Sequence, residues 1–323
     1  MKSPRELLDP ELVAPLDGFL EATGGGFDLG DIPRMRELVD GMIAAHKAEA
    51  PKIEGVETED RRAPGFDGDP EVPVRVYRPA GRAEPLPAVL WMHGGGWVLG
   101  NIELDDALTA QLAKDVGCVV VSVDYRLAPE HPHPAALHDC YAALRWLAAQ
   151  SGPLRVDPAR IAVGGASAGG NLAAGLALLA RDRGEVRPAF QLLVYPALDD
   201  RTAKPASAEL PDALFWSRQN AIDAWAAYVG RPPGASDVPA YAAPARARDL
   251  SGLPPAYIPV GSIDAFLDEN IDYARRLIDA GVPTELHVYP GAFHAFDVFG
   301  PEAKISQQFV ADRNAVLRRV LRA

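Results

Sequence analysis

The sequence has only two cysteines among 323 residues, Cys118 and Cys140. One lies in a predicted strand and the other in a predicted helix, an arrangement typical of reduced core thiols rather than of a disulfide framework. Residues 1–7 contain neither an apolar core nor a cleavage pattern of the kind found in secretory signals. We therefore expect a cytoplasmic protein.

Long apolar runs and an excess of positive charge are also missing. The longest apolar segment, 172–180, has about half of the roughly 20 residues that a membrane-spanning helix requires. The formal net charge is -12, which would repel the phosphate backbone of a nucleic acid. We expect neither a membrane protein nor a nucleic-acid partner, and neutral substrates fit this charge better than polyanionic ones.

Ligands for a metal ion are scarce. Three of the seven histidines, His131, His133 and His138, lie near one another in the sequence. Pro132 and Pro134 stiffen the turn between them, and no cysteine or carboxylate spacing completes a zinc pattern. The sequence predicts no metal centre.

Strand-like and helix-like segments alternate along most of the chain. The segments with strand-like composition are 53–59, 71–77, 87–92, 118–123, 160–164, 190–194, 256–260 and 284–289, and those with helical spacing are 135–150, 171–180, 270–280 and 303–322. With 48% hydrophobic residues, the chain can bury one large core. The alternation predicts an α/β fold with a mostly parallel sheet and right-handed crossovers.

A glycine-rich turn at 165–170 joins the predicted strand 160–164 to an apolar helix. A nucleophile elbow requires this context, because the serine at its apex has a strained backbone and its neighbours must be small. Ser167 is therefore the candidate nucleophile. A serine that merely caps the helix is the simpler alternative, but it leaves most of the glycines unexplained.

A second glycine-rich segment, 93–97, follows the predicted strand 87–92. Its glycines leave backbone N–H groups unobstructed, so that Gly95 and Gly96, together with Ala168, can form an oxyanion hole. The alternatives are a flexible hairpin or a phosphate-binding loop. A phosphate loop would need a lysine, or a G-x-G-x-x-G pattern that opens directly into a helix, and this segment has neither.

The acid and base of a hydrolase triad should follow the serine in the chain. Asp264 lies at the carboxyl end of the predicted strand 256–260, and His294 lies in a loop just after the strand 284–289. We predict that His294 takes the proton of the serine while Asp264 fixes the tautomer of the imidazole.

Three other residues compete for these roles. Asp268 and Glu269 are plausible acids, although they fall at a helix start, where carboxylates commonly favour the helix dipole. His287 lies in the middle of a predicted strand, where a packed or surface role is expected. These alternatives stay open at the level of sequence.

The motifs of this chain, and their order along it, resemble those of the hormone-sensitive-lipase-like branch (bacterial family IV) of the α/β-hydrolase esterases. The matching stretches are 93–97 (HGGGW), 124–130 (DYRLAPE), 165–171 (GASAGGN), Asp264 with Asp268 and Glu269 behind it, and 289–291 (YPG) leading to His294. The resemblance implies an α/β-hydrolase fold, ester hydrolysis without a cofactor through an acyl-enzyme on Ser167, and a mobile helical cap.

The chain departs from the family pattern at three places. Ala166 stands where the family usually has aspartate, and Ala295 replaces the usual glycine after the catalytic histidine. Phe266 and Leu267 introduce bulky apolar side chains after the acid. The methyl group of Ala295 is expected to narrow the substrate pocket, and the two apolar residues to alter the substrate range.

Two segments do not follow the alternating pattern. Residues 1–50 have a helical pattern, and about 200–245 are rich in proline and alanine. We expect them to form two parts of a helical cap on a catalytic domain of residues 51–323. The candidate substrate-binding residues are Trp97, Phe215, Trp216 and Ala295, although aromatic residues of the cap could equally be core.

The predicted function is a serine carboxylesterase for short- to medium-chain acyl esters. Its partner would be a small-molecule ester, and a homodimer is compatible with the sequence. Two alternatives are a non-catalytic small-molecule receptor, which in related plant proteins lacks the histidine, and an amidase or deacetylase that uses the same machinery. The presence of His294 argues against the receptor.

Overall fold

The computed structural model describes residues 3–49, 53–201 and 214–322. Within these residues, eight strands form one sheet. The strands are β1 (Val56–Ala63), β2 (Val72–Pro79), β3 (Leu86–Met92), β4 (Val119–Val123), β5 (Val156–Ala166), β6 (Phe190–Val194), β7 (Ala256–Gly261) and β8 (Thr284–Tyr289).

The strands alternate with helices over most of the chain. The α-helices are α1 (Pro4–Leu7), α2 (Val13–Thr23), α3 (Ile32–Glu49), α4 (Asp106–Val116), α5 (Ala135–Ala149), α6 (Ala168–Arg183), α7 (Arg218–Val229), α8 (Leu267–Asp279), α9 (Phe296–Phe299) and α10 (Lys304–Leu321), and short 3₁₀ helices span Pro10–Leu12, Leu29–Asp31 and Pro244–Arg246. None of the helices in the described part of the chain is long and apolar enough to cross a membrane.

The strand order is β1-β2-β4-β3-β5-β6-β7-β8. Strand β2 runs antiparallel to both of its neighbours, and the other adjacent strands are parallel. The predicted α/β fold with a mostly parallel sheet is confirmed. Because the carboxyl ends of parallel strands meet at one edge of a sheet, the loops after β3, β5, β7 and β8 converge there.

Helices cover the sheet and bury its centre. Helix α5 packs against α6, and α4 packs against α10. Every residue of β3, β4, β6 and β7 is buried, as expected for parallel strands covered on both faces. Both cysteines are buried and unpaired, as predicted.

The sequence reasoning misplaced one strand and missed two helices, α4 and the four-residue α9. Strand β1 begins and ends a few residues after the predicted 53–59, and its inner residues are exposed, so its side chains show no alternation. Helix α4 was not predicted. Its apolar face is short and includes Thr109, and the helix is stabilised by packing on β2 and β4 rather than by a strong local pattern.

The helices of the N-terminal segment meet the segment before α7 through aromatic rings. Phe215 lies 4.5 Å from Phe19 and 5.6 Å from Phe27, measured between ring centroids. Phe299, just beyond the final strand of the sheet, also contacts Phe215 at 4.6 Å. Residues 202–213, which the sequence analysis assigned to the second part of the cap, lie outside the described residues.

Candidate active site

Ser167 lies at the junction of β5 and α6. Its backbone has φ 56° and ψ -115°, a region that non-glycine residues seldom occupy and that costs of order 1–3 kcal/mol. Its N–H donates to the carbonyl oxygen of Val194 at 2.9 Å. The neighbouring strand thus holds the serine in its strained conformation at the apex of the turn.

The glycines of this turn are required by close backbone packing. A Cβ atom on Gly165 or Gly169 would overlap the carbonyl oxygen of Met92 at the end of β3. A Cβ on Gly170 would lie 2.9 Å from the side chain of Pro196. The turn therefore fits between its neighbours only with glycine at these positions, which explains the pattern seen in the sequence.

The structure brings the three predicted triad residues together. The hydroxyl of Ser167 lies 2.8 Å from Nε2 of His294, and Nδ1 of the same ring lies 2.7 Å from Oδ2 of Asp264. Because an ionised carboxylate can only accept hydrogen bonds, this arrangement requires the proton on Nδ1 and leaves Nε2 free to accept from the serine.

The candidate acid is fixed at the end of β7. Asp264 accepts the N–H of Phe266 on its second oxygen at 2.9 Å, and its side chain is fully buried. The side chain of His294 is only 4% exposed. In a site that excludes water, the attraction between this carboxylate and a protonated imidazole is stronger than it would be at the surface.

Aromatic rings enclose the candidate base. Phe266 and Tyr195 meet the ring of His294 edge-on, with centroids 5.1 and 4.9 Å away. The hydroxyl of Tyr195 donates to the buried carboxyl of Asp297 at 2.9 Å, whose pKa burial raises. Sequence reasoning missed Tyr195 and Asp297, because neither stands in a recognisable motif.

The loop after β3 carries the predicted oxyanion donors. Gly95 and Gly96 have φ of 106° and 60°, which glycine adopts without strain. The carbonyl of Gly95 accepts the N–H groups of Val98 and Leu99, so the loop is folded back on itself. Among the described residues, no acceptor engages the N–H groups of Gly95, Gly96 or Ala168.

A small cavity of about 10 Å³ adjoins the serine. Its lining includes Gly96, Ser167, Ala168, Trp97 and Trp216. About one water molecule would fit a volume of this size. The cavity brings the hydroxyl, two of the three candidate oxyanion donors and two candidate substrate-binding residues to one place.

The two tryptophans of this cavity are held by packing. Trp97 stacks on Tyr228 of α7 with ring centroids 4.5 Å apart. Trp216 lies directly over Gly96, where an added Cβ would come within 2.8 Å of its ring. Phe215 is not part of the lining of this cavity, although its ring centroid lies 6.4 Å from that of His294, the same distance as the ring of Trp216. The roles of these residues in substrate binding stay predictions.

Ala295, the fourth candidate substrate-binding residue, has an unusual backbone. Its φ is 61°, in the left-handed region that favours glycine. Because Ala295 directly follows the histidine and caps α9, its conformation sets how the chain leaves the site. The residue therefore introduces strain at a position where the family usually has glycine.

The two competing carboxylates lie elsewhere. Asp268 is exposed in the first turn of α8. Glu269 is buried and accepts the N–H of Leu198 at 2.6 Å. Asn171 and Asn270 donate to carbonyl oxygens of the same segment, 196–198. The carboxylate that meets His294 is Asp264, and these three polar residues hold the chain after β6 beside the serine.

Arg36 of α3 is a third residue that sequence reasoning missed. Its guanidinium donates to the carbonyl oxygens of Val98 and Ala128, each at 2.8 Å, and forms a bidentate pair with Glu130. These hydrogen bonds lower the pKa of Glu130 to about 2. Arg36 thus connects the N-terminal helices to the loop of the oxyanion glycines.

The other histidines have separate environments. His138 lies 3.2 Å from Asp69, and His133 lies 3.3 Å from the hydroxyl of Tyr228. His287 lies 3.0 Å from Glu285 at the end strand β8. Over the described ranges, no group of three or more histidine, cysteine, aspartate or glutamate side chains is placed to hold a metal ion.

A mostly parallel sheet with a serine at a strained strand-to-helix turn, and a histidine and an aspartate on later strand ends, defines an α/β hydrolase. A family profile described as the alpha/beta hydrolase fold matches residues 89–298. The chain belongs to this family, in its hormone-sensitive-lipase-like branch.

Relatives that carry esterase names match most of the chain. It is 42% identical to a carboxylesterase (NlhH) of Mycobacterium tuberculosis over 82% of this chain and 83% of that protein. It is 35% identical to an arylesterase of Saccharolobus solfataricus over 90% and 92% of the two chains. The solved structure of a bacterial heroin esterase is 44% identical and superposes with a TM-score of 0.93, covering 98% of this chain and 99% of that one.

Proposed function

We propose that this protein is a serine carboxylesterase that hydrolyses short- to medium-chain acyl esters through Ser167, His294 and Asp264. The observation that carries the proposal is the continuous hydrogen-bonded chain of these three side chains, with separations of 2.8 and 2.7 Å. That the protein is a carboxylic ester hydrolase follows from its family and from relatives named carboxylesterase, esterase and arylesterase.

In the first half-reaction, Oγ of Ser167 attacks the carbonyl carbon of the ester while its proton passes to Nε2 of His294. Asp264 stabilises the imidazolium that results, since its carboxylate already accepts the proton on Nδ1. The negative charge moves to the former carbonyl oxygen. The unengaged N–H groups of Gly95, Gly96 and Ala168 are the proposed donors to this oxygen.

Collapse of the tetrahedral intermediate breaks the bond to the alcohol, which leaves with the proton from His294. The acyl group stays on Ser167. In the second half-reaction His294 takes a proton from water, the hydroxide oxygen attacks the acyl carbon, and the proton returns to Oγ as the carboxylic acid departs.

The proposed preference for shorter acyl chains is supported by the bulky side chains beside the serine, where the rings of Trp97 and Trp216 restrict the space for an acyl group. We also propose that residues 1–50 and about 200–245 form a cap. The aromatic contacts of Phe19 and Phe27 with Phe215 support this division.

Hydrolysis of a p-nitrophenyl ester series from acetate to palmitate tests the proposal. We expect turnover to be highest at short chains and to be abolished in Ser167→Ala, while Ser251→Ala, an exposed serine, retains it. Turnover like that of the wild type in a folded Ser167→Ala protein would refute the assignment. A peak at palmitate would refute the chain-length preference.

Location and assembly are independent predictions. We propose a cytoplasmic protein, because its two cysteines are buried and unpaired, as is usual in a reducing compartment. Fractionation of cells that produce the protein checks this. A homodimer is the second expectation, and light scattering of the purified protein distinguishes it from a monomer.

A further inference from the structure

A cavity of about 610 Å³ lies apart from the serine, between α3, strand β1 and α4. Its volume is in the range of ligand-binding pockets, about 300–1,000 Å³. The wall is mainly apolar, with Val39, Met42 and Ile43 on α3 facing Ala107 and Ala110 on α4. The cavity could therefore accept a small apolar molecule without burying unpaired polar groups.

The charged side chains of the wall are paired with one another. Lys47 lies 2.6 Å from Glu103. Arg75 pairs with Asp106 at 2.8 Å, and also with Asp60, which lies outside the lining.

The remaining titratable residue of the lining, His46, is exposed. A charged ligand would compete with the existing ion pairs, whereas a neutral one would leave them intact. The wall thus favours an uncharged occupant.

One side of the cavity leads towards the candidate active site. Phe27 and Phe299 line the cavity, and both contact Phe215, at 5.6 and 4.6 Å between centroids. The ring of Phe215 lies 6.4 Å from that of His294. Two layers of aromatic rings therefore separate the cavity from the proposed base.

We propose that this cavity is a second binding site, for an uncharged hydrocarbon chain. The chain can belong to a separate neutral amphiphile, such as an alcohol. It can also be the distal end of a longer ester held at Ser167; this second source rests on the proposed function and requires the intervening aromatic rings to move apart. Each methylene buried in the cavity should tighten binding about fourfold.

Binding is measured in the Ser167→Ala protein, so that turnover does not enter. Isothermal titration with 1-hexanol, 1-octanol and 1-decanol should show affinity rising along the series. Decanoate and decyltrimethylammonium should bind at least tenfold more weakly than 1-decanol. Equal affinity for the charged and the neutral chains would overturn the proposal.

A variant in which a side chain fills the cavity is compared with a variant that carries the same side chain on the surface. Ala107→Phe places a ring in the cavity, and Ala45→Phe places the same ring on the exposed side of α3. We expect 1-decanol to bind at least tenfold more weakly after the first change and normally after the second. Unchanged binding in a folded Ala107→Phe protein would overturn the proposal. Ala107→Leu serves if the larger ring prevents folding.

The source of the chain is decided in the active enzyme with the same two variants. If the site holds the tail of the substrate, Ala107→Phe lowers kcat/KM for p-nitrophenyl decanoate relative to the acetate about tenfold. If it holds a separate amphiphile, the profile is unchanged while 1-decanol alters acetate hydrolysis only in proteins with the open cavity. Absence of both effects would overturn any link to catalysis. The binding titration remains informative even if Ser167 proves not to be the nucleophile.

Discussion

Two regions of the molecule, the part of the site at the strand ends and the proposed cap, are stabilised by different kinds of interaction. At the strand ends, hydrogen bonds of 2.8 and 2.7 Å align Ser167, His294 and Asp264, and glycines allow direct backbone contact. In the proposed cap, aromatic side chains pack on one another. The indole N–H groups of Trp216 and Trp225 have no acceptor among the described residues.

The comparison indicates that the two regions have different roles. Directional bonds in a buried setting hold reacting groups within the small tolerances that catalysis requires. Ring packing is non-directional, so it tolerates changes in shape with smaller losses. We therefore expect substitutions at the strand ends to affect kcat most, and those in the proposed cap to affect stability and selectivity.

The largest effect in this series is expected from Asp264→Asn. An asparagine cannot enforce the proton on Nδ1, so kcat should fall by about 10⁴, with little change in the free energy of unfolding. Asp268→Asn is the matched control, since Asp268 is exposed on the next helix. Steady-state kinetics check both changes. Severe loss in Asp268→Asn instead would contradict the assignment of the acid.

Gly169→Ala tests the backbone contact beneath the serine. The added Cβ would overlap the carbonyl oxygen of Met92, and displacing the turn by about 1 Å should lower kcat about 10²-fold. Kinetics and thermal unfolding measure the result. A folded variant with normal kcat would show that the turn has more freedom than the strand-end contacts indicate.

Arg36→Met removes the polar connection between the two regions. The carbonyl oxygens of Val98 and Ala128 lose their charged donor, which should cost about 2 kcal/mol of unfolding free energy. Because Val98 follows the oxyanion glycines, we also expect kcat to fall about tenfold with KM nearly unchanged.

The control for this change is Arg5→Met, which breaks an ion pair with Asp17 whose side chains are both about half exposed. Such a pair contributes less than about 1 kcal/mol. A normal kcat in Arg36→Met, despite lower stability, would mean that the arginine only attaches the helix and does not position the loop.

The smallest effect is expected from Gly18→Ala in α2. A Cβ at this position would have no neighbour within 4 Å, and alanine stabilises a helix interior by about 0.5–1 kcal/mol relative to glycine. The unfolding temperature should rise, and kcat should stay unchanged. Loss of activity here would show that the proposed cap is as intolerant as the strand ends.

How much the sequence predicts differs between the same two regions. Ser167, Asp264 and His294 could be found because each lies within a few residues of the end of a recognisable strand, and the fold brings these strand ends together. Arg36, Phe27 and Phe299 could not. Their neighbours come from distant segments, and no short pattern marks a side chain whose role depends on packing between such segments.

Local conformation also set limits on prediction. Ala295 was expected to act through its methyl group, yet the feature that the structure adds is its left-handed backbone, with φ 61°. Helix α4 escaped prediction because it is stabilised by its packing on the sheet. A single sequence carries little signal for either property.

The most direct test of the central claim is to trap the nucleophile. Diethyl p-nitrophenyl phosphate should release one equivalent of p-nitrophenol and leave a diethyl phosphate group on Ser167, located by peptide mass spectrometry. The account predicts no adduct in Ser167→Ala and slower labelling in Asp264→Asn. Stoichiometric labelling of another residue, with Ser167→Ala still reactive and active on esters, would contradict it.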